Sequence, residues 1–124
     1  MRIFNPDNGA CAERAAEQWL CGQGLSRVAR NFRCRMGEID LIMRDGEYLV
    51  FIEVRLRSRN DYGGAAASVT RAKQQRLIRA AQQFLALNAR WQRAPCRFDV
   101  VAAQPDGADH YQWQWLRAAF VTAE

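Results

Sequence analysis

The residues best equipped for chemistry are acids grouped in one short stretch of the chain. Glu38 and Asp40 alternate along one candidate strand, Glu53-Val54-Arg55 closes the next, and Lys73, the sole lysine, follows in a helical segment. Carboxylates collected at a strand end are hard oxygen ligands. Mg²⁺ takes one or two of them, keeps several waters and completes its shell with phosphate oxygens of a substrate. Asp40 and Glu53, with Glu38, are therefore candidate ligands for Mg²⁺ or Mn²⁺. An ion held there lowers the pKa of its water and polarises a phosphoryl oxygen, so metal-assisted hydrolysis of a phosphodiester is the expected chemistry. Arg55 and Lys73 would supply positive charge where negative charge develops. A structural reading competes with this one, in which Arg55 neutralises the acids as an ion pair and no metal is involved.

These side chains need a scaffold, and the pattern predicts a hairpin. Gly37–Arg44 and Glu47–Arg57 read as strands, with Asp45-Gly46 as a two-residue turn. That turn sets Arg44 opposite Glu47, Glu38 opposite Glu53 and Asp40 opposite Phe51. Alternation then sends Glu38, Asp40, Glu53 and Arg55 to one side, and Ile39, Leu41, Met43, Val50, Ile52 and Val54 to the other. Leu49 and Phe51 cover the near end of the charged side, which implies a central hairpin buried on both faces with its charges at one end. Like charges directly opposed are destabilising, so the cluster calls for a compensating cation.

Helical periodicity over Ala10–Cys21 puts Ala12, Ala15, Ala16, Trp19 and Leu20 on one arc, with Glu13 at its rim and Gly22 and Gly24 closing the helix. A second helix runs from an N-cap at Thr70 to about Arg90, its stripe formed by Leu77, Ile78, Ala81, Phe84 and Leu85. Lys73 falls on that inward stripe, one turn from the helix start. Further strands are expected at Leu25–Arg33, Arg97–Ala103 and Tyr111–Leu116. The order α-β-β-β-α-β-β describes an α/β (α+β) protein, a single domain over residues 1–124 with a mixed central sheet flanked by helices. Between hairpin and second helix, Ser58–Ser68 reads as a mobile loop. Arg57 and Arg59, running into it, and Arg71 and Arg76 beyond it are candidate phosphate contacts, against a plain solvated basic face. Asp99 is expected to pair with an arginine, and Trp113 and Trp115, on one strand face, fit a core or dimer contact better than a base-stacking platform.

Composition narrows the partner. The 124 residues are 49% apolar and 25% charged, the balance of a globular protein, and carry a net charge of +5 with a pI near 9.5. Seventeen of the 18 basic residues are arginines. A polyanion, nucleic acid and DNA in particular, is the expected partner. The longest apolar run, Tyr48–Ile52, is five residues, against roughly 20 for a membrane span, and the first twenty residues hold no signal core. No membrane partner and a cytoplasmic location follow as expectations. Cys11, Cys21, Cys34 and Cys96 lack zinc spacing and read as free, mostly buried thiols, and His110 has no neighbour with which to share a metal.

The succession Gly37-Glu38-Ile39-Asp40-Leu41, Val50-Phe51-Ile52-Glu53-Val54-Arg55-Leu56-Arg57, Lys73 on a helix and Arg97-Phe98-Asp99-Val100-Val101 resembles the YraN family of small bacterial proteins, over almost the whole chain. The resemblance implies a restriction-endonuclease-like fold, similar to archaeal Holliday junction resolvases and the wider PD-(D/E)xK nucleases. It implies Asp40 and Glu53 as metal-binding acids, Arg55 at the motif-lysine position and Glu13 as the helix glutamate that assists the metal. It also implies a Mg²⁺-dependent endonuclease acting on branched or structured DNA, with a homodimer presenting two sites. Ile39 stands where the motif has proline. Arg55 stands where it has lysine, and arginine, which is far more basic than lysine, is a poor general base. Two alternatives follow for Lys73 besides pointing to solvent: it substitutes for the motif lysine, or it binds the phosphate backbone. For the whole protein the alternative is a catalytically inactive nucleic-acid-binding module on a nuclease scaffold. A third reading, a protein-interaction adaptor, leaves the net basicity unexplained.

Overall fold

A computed structural model describes residues 8–57, 69–107 and 110–121. The predicted loop Ser58–Ser68, and Arg59 within it, lie outside the described residues. Helix α1 (Asn8–Gly22) is followed by β1 (Ser26–Cys34), β2 (Gly37–Asp45) and β3 (Tyr48–Leu56); α2 (Arg71–Leu87) leads through a 3-10 turn at Ala89–Trp91 to β4 (Cys96–Pro105) and β5 (Tyr111–Phe120). The five strands form one sheet in the order β1-β2-β3-β4-β5. β3 and β4 are parallel and the other neighbours antiparallel, because α2 lies in the connection between β3 and β4 and returns the chain to the same end. This is the α+β, mixed-sheet arrangement expected from the sequence.

Each helix covers one face. Ala16 and Leu20 of α1 pack with Leu25, Leu41, Met43, Val50, Ile52 and Val101, and Leu77, Ala80, Ala81 and Phe84 of α2 pack with Ile42, Leu49, Phe51, Val100 and Ala102. With both faces covered, the central strands carry nearly continuous apolar runs. α1 ends in a Schellman motif: Leu25 N–H donates to the Leu20 carbonyl at 3.1 Å and Gly24 N–H to Cys21 at 3.1 Å. Gly24 takes the left-handed φ of 105° that this stop requires. Thr70 caps α2 as expected, its hydroxyl accepting from Lys73 N–H at 3.2 Å. The helix stops at Leu87 rather than Arg90, where Asn88 turns back to donate through Nδ2 to the Phe84 carbonyl at 2.8 Å.

Two readings of the hairpin need correction. Asp45 pairs with Tyr48 and Arg44 with Leu49, so the two-residue turn is Gly46-Glu47, with Gly46 at φ 61°. Glycine at the first central position is the type II′ pattern, whose twist matches that of the strands. The register therefore differs by two residues from the expected one, which preserves the faces but aligns Asp40, not Glu38, toward Glu53. Alternation also fails once: Ile39 belongs to the α2-side core whereas Leu41 belongs to the α1 side. The thiols differ from expectation too. Among the described residues no disulfide forms, but Cys21 and Cys96 are exposed and Cys11 and Cys34 half-buried, because they sit at element ends or edges rather than on core stripes. No described helix is long and apolar enough to cross a membrane.

Candidate metal centre

The last ladder pair between β2 and β3 at this end is Leu41 with Ile52. Beyond it Asp40 inserts its carboxyl, and Oδ2 accepts a 2.8 Å hydrogen bond from the backbone N–H of Val54. A side chain thus replaces a ladder carbonyl, which explains the broken alternation across Asp40 and leaves the carboxyl reachable from both faces of the sheet. Glu13 meets it from α1, and Glu53, only 3% exposed, meets it from β3. Lys73 Nζ lies 2.8 Å from Glu53 Oε2, and Arg55 reaches the same oxygen at 3.4 Å. Lys73 gets there because the Thr70 cap starts α2 one turn earlier, over the sheet end.

The electrostatics follow from crowding. Burial pushes the Asp40 carboxyl up to about 9, and the neighbouring charge of Glu53, a shared hydrogen bond with Glu53 and the charge of Glu13 add to the rise; only the Val54 amide opposes it. Burial also raises Glu13, aided by Glu38 and Glu53 and opposed by its hydrogen bond to Asp40. The cluster therefore keeps a proton at neutral pH, held between Asp40 and its acidic neighbours. Crowded carboxyls that retain a proton through burial and mutual repulsion, all of them hard oxygen donors, have the donor chemistry of a site for a divalent ion able to displace that proton. Among the described residues no group of three or more His, Cys, Asp or Glu side chains is arranged to hold a metal ion, so any ion here would take only one or two carboxylates from the chain.

The remaining sequence candidates sit as follows. Glu38 is exposed and pairs with Arg33 at 3.3 Å across the β1–β2 ladder, close enough to Glu13 to raise it. Arg57 N–H continues the β3–β4 ladder to the Ala103 carbonyl at 2.8 Å. Arg71 and Arg76 are exposed on α2. Arg76 packs against Gly37, where an added Cβ would stand 3.3 Å from Arg76 Cβ and from its carbonyl oxygen, a tight contact that α2 could accommodate only by giving way slightly. Asp99 does pair with an arginine: Arg97 Nε and a terminal nitrogen donate to its two oxygens at 2.9 Å, joined by Trp115 Nε1 and Ala118 N–H, each at 2.9 Å. Trp113 stacks on Trp19 at 5.4 Å and Trp115 meets Trp19 edge-on at 5.9 Å, so both pack under α1.

One residue went unread in the sequence. A cavity of about 110 Å³ on the α1 side is lined by Glu13, Arg14, Glu17, Arg30, Asn31 and Asp40. Asn31 holds a left-handed φ of 48° and interrupts the β1–β2 pairing at the level of Asp40. Asparagine is among the few residues that tolerate this conformation inside a strand, which was the available signal. Glu17 anchors the rim through Arg30, whose Nε and a terminal nitrogen donate at 2.6 and 3.0 Å; that hydrogen bond holds the Glu17 carboxyl below its usual range.

Fold and centre together define a small α+β protein with a carboxylate–lysine cluster where two central strands part. Residues 12–103 match the family described as "Uncharacterised protein family UPF0102". The chain belongs to that family, the one resembled at the YraN motifs. Similar proteins include the "UPF0102 protein" of Alcanivorax borkumensis, 54% identical over 92% of this chain and 91% of that one. The corresponding protein of Saccharophagus degradans is 49% identical over 95% of this chain and 96% of its own length.

Proposed function

We propose that this protein is a Mg²⁺- or Mn²⁺-dependent phosphodiesterase acting within nucleic-acid strands, with Asp40 and Glu53 as ligands and Glu13 as an assisting acid. The observation that carries the reading is the meeting of Asp40 and Glu53 at the parting of β2 and β3 with the only lysine at 2.8 Å. When bound, the divalent ion would supply charge for the phosphoryl oxygens and a water of lowered pKa. The chain's own residues do the rest. Lys73 and Arg55, both anchored on Glu53, present ammonium and guanidinium groups beside the acids, where a phosphate that enters would gain negative charge. A guanidinium is a poor proton acceptor, whereas a lysine amine can take up and release a proton. The 2.8 Å contact favours Lys73 as the substitute for the lysine that Arg55 displaces.

The test is cleavage of branched, nicked and single-stranded DNA with Mg²⁺ or Mn²⁺, comparing wild type with Asp40→Ala and Glu53→Ala. Metal-dependent cutting that either substitution abolishes is expected. Cutting that survives both overturns the assignment, and metal-independent binding without cutting under any condition favours an inactive binding module instead.

A further inference from the structure

A second cluster of cations lies away from the acids. Arg44 of β2, Ser26, Arg27 and Val28 of β1, and Arg90 and Trp91 of the 3-10 turn enclose a cavity of about 200 Å³. Among the described residues its lining holds three guanidinium groups and no carboxylate. Two of the three are fixed in place without an acid. Arg44 Nε donates to the Gly46 carbonyl at 2.9 Å, which orients the fork and leaves its terminal nitrogens available. Arg90 rests over the Trp91 ring at 4.9 Å, and Trp91 itself packs against the α2-side core. Trp91 thus acts as the support for Arg90 rather than as a platform for a base. Arg27 leans toward Glu17 at 3.8 Å, an acid already held more closely by Arg30.

Converging guanidinium groups repel one another, and their planar, rigid forks match phosphate oxygens two at a time. Arg44 stands four residues from Asp40 along β2, a backbone separation of about 13 Å at about 3.3 Å per residue. At 3.4 Å per nucleotide of one strand this is a separation of about four nucleotides, so a single strand can reach both places. We infer that Arg44 and Arg90, with Arg27 and Ser26, form a cradle for backbone phosphates of a polynucleotide, separate from the carboxylate cluster and blind to base sequence. The inference rests on nucleic acid being the partner, as proposed above. It assigns grip to residues other than Arg57, Arg71 and Arg76.

The experiment is titration of a fluorescein-labelled 20-base-pair DNA duplex by anisotropy, with chelator present and salt varied. Wild type is compared with the double variant Arg44→Gln/Arg90→Gln and with Arg79→Gln, a control outside the cradle. Each lost phosphate contact lowers the slope of log affinity against log salt by about 0.9. The double variant should therefore lose nearly 2 from the slope and bind roughly tenfold or more weakly at 0.1 M salt, with Arg79→Gln near wild type. Equal slopes for wild type and double variant overturn the cradle while leaving the proposed function standing; a wild type that binds no DNA overturns both. Inorganic phosphate gives the remaining arm. If it raises the melting midpoint of wild type but not of the double variant, while both bind DNA alike, the cavity is a small-anion site and the polynucleotide assignment is wrong.

Discussion

Replacing Asp40 by asparagine should stabilise the metal-free protein, contrary to the usual effect of altering a buried, hydrogen-bonded residue. In the folded chain the Asp40 carboxyl keeps its proton up to about 9, whereas an ordinary aspartate releases it near 3.8. At pH 7 the unfolded chain is ionised there and the folded chain is not. At 1.36 kcal/mol per pH unit, folding then forgoes at most about 4 kcal/mol. Asparagine has the shape of the protonated acid: its oxygen can accept from Val54 N–H and its amide can donate to Glu53, with no proton to retain. Because Glu13 and Glu53 share the crowding, about half of the ceiling, ~2 kcal/mol, is the expected gain at pH 7. The sign of the pH dependence is fixed. A carboxyl whose folded pKa is raised costs nothing below 3.8, where both states are protonated, and costs progressively more as pH rises from there toward 9. Urea unfolding followed by tryptophan fluorescence in chelator at pH 4, 7 and 8.5 measures this directly. The two proteins should converge at pH 4 and separate above it. An Asp40→Asn protein less stable than wild type at pH 7, or a difference that does not change with pH, would refute the argument from crowded carboxyls.

Four further outcomes follow. Mg²⁺ or Mn²⁺ at ten times its dissociation constant should stabilise wild type by about 1.4 kcal/mol, read as a raised melting midpoint, and should do so little or not at all in Asp40→Asn or Glu53→Gln. Lys73→Met should abolish cutting while DNA affinity stays within a few fold, and unchanged cutting would remove Lys73 from the mechanism. Asp99→Asn should cost about 3 kcal/mol in urea unfolding, since it strips a buried partner from Arg97, yet leave metal binding intact. Glu17→Gln should lose stability above pH 4.5 and match wild type at lower pH, because the stabilisation of a carboxyl with a lowered folded pKa is present above its unfolded value and fades as pH falls; thermal melts across pH 3–7 report this.

What the sequence made legible is what periodicity and chemical type encode. The α1 arc, the α2 stripe with its Thr70 cap and the two hairpin strands follow from local rules, and Asp40, Glu53, Lys73 and Glu13 do converge, but Asp40 leaves the face that alternation gives it and Glu38 pairs with Arg33 instead. The Gly46-Glu47 turn was misplaced by one residue because Asp45-Gly46 is the commoner local signal, while pairing of Asp45 with Tyr48 depends on the long-range fit of two apolar faces. The exit of Asp40 from the ladder is invisible for a related reason, and Asn31 is marked only by its tolerance of a left-handed backbone. A break in alternation leaves no periodic trace, since Ile39 and Leu41 are apolar whichever core they enter. The cradle of Arg27, Arg44 and Arg90 joins three elements distant in sequence, and among seventeen arginines nothing local marks those three.

The break at Asp40 also explains why the acids can be reached at all. In an unbroken β2–β3 ladder the Val54 amide would bond to a backbone carbonyl, and Asp40 would face one side of the sheet only. By taking that amide for its own carboxyl, Asp40 stands in the plane between the strands. Glu13 can then approach from the α1 side and Glu53, with Lys73, from the α2 side. The arrangement crowds carboxyls so that Asp40 must hold a proton to fold, and on the proposed reading a divalent ion would take that proton's place. Stability and ion binding should consequently move in opposite directions on substitution of Asp40, and a variant that gained both would contradict this account of the centre.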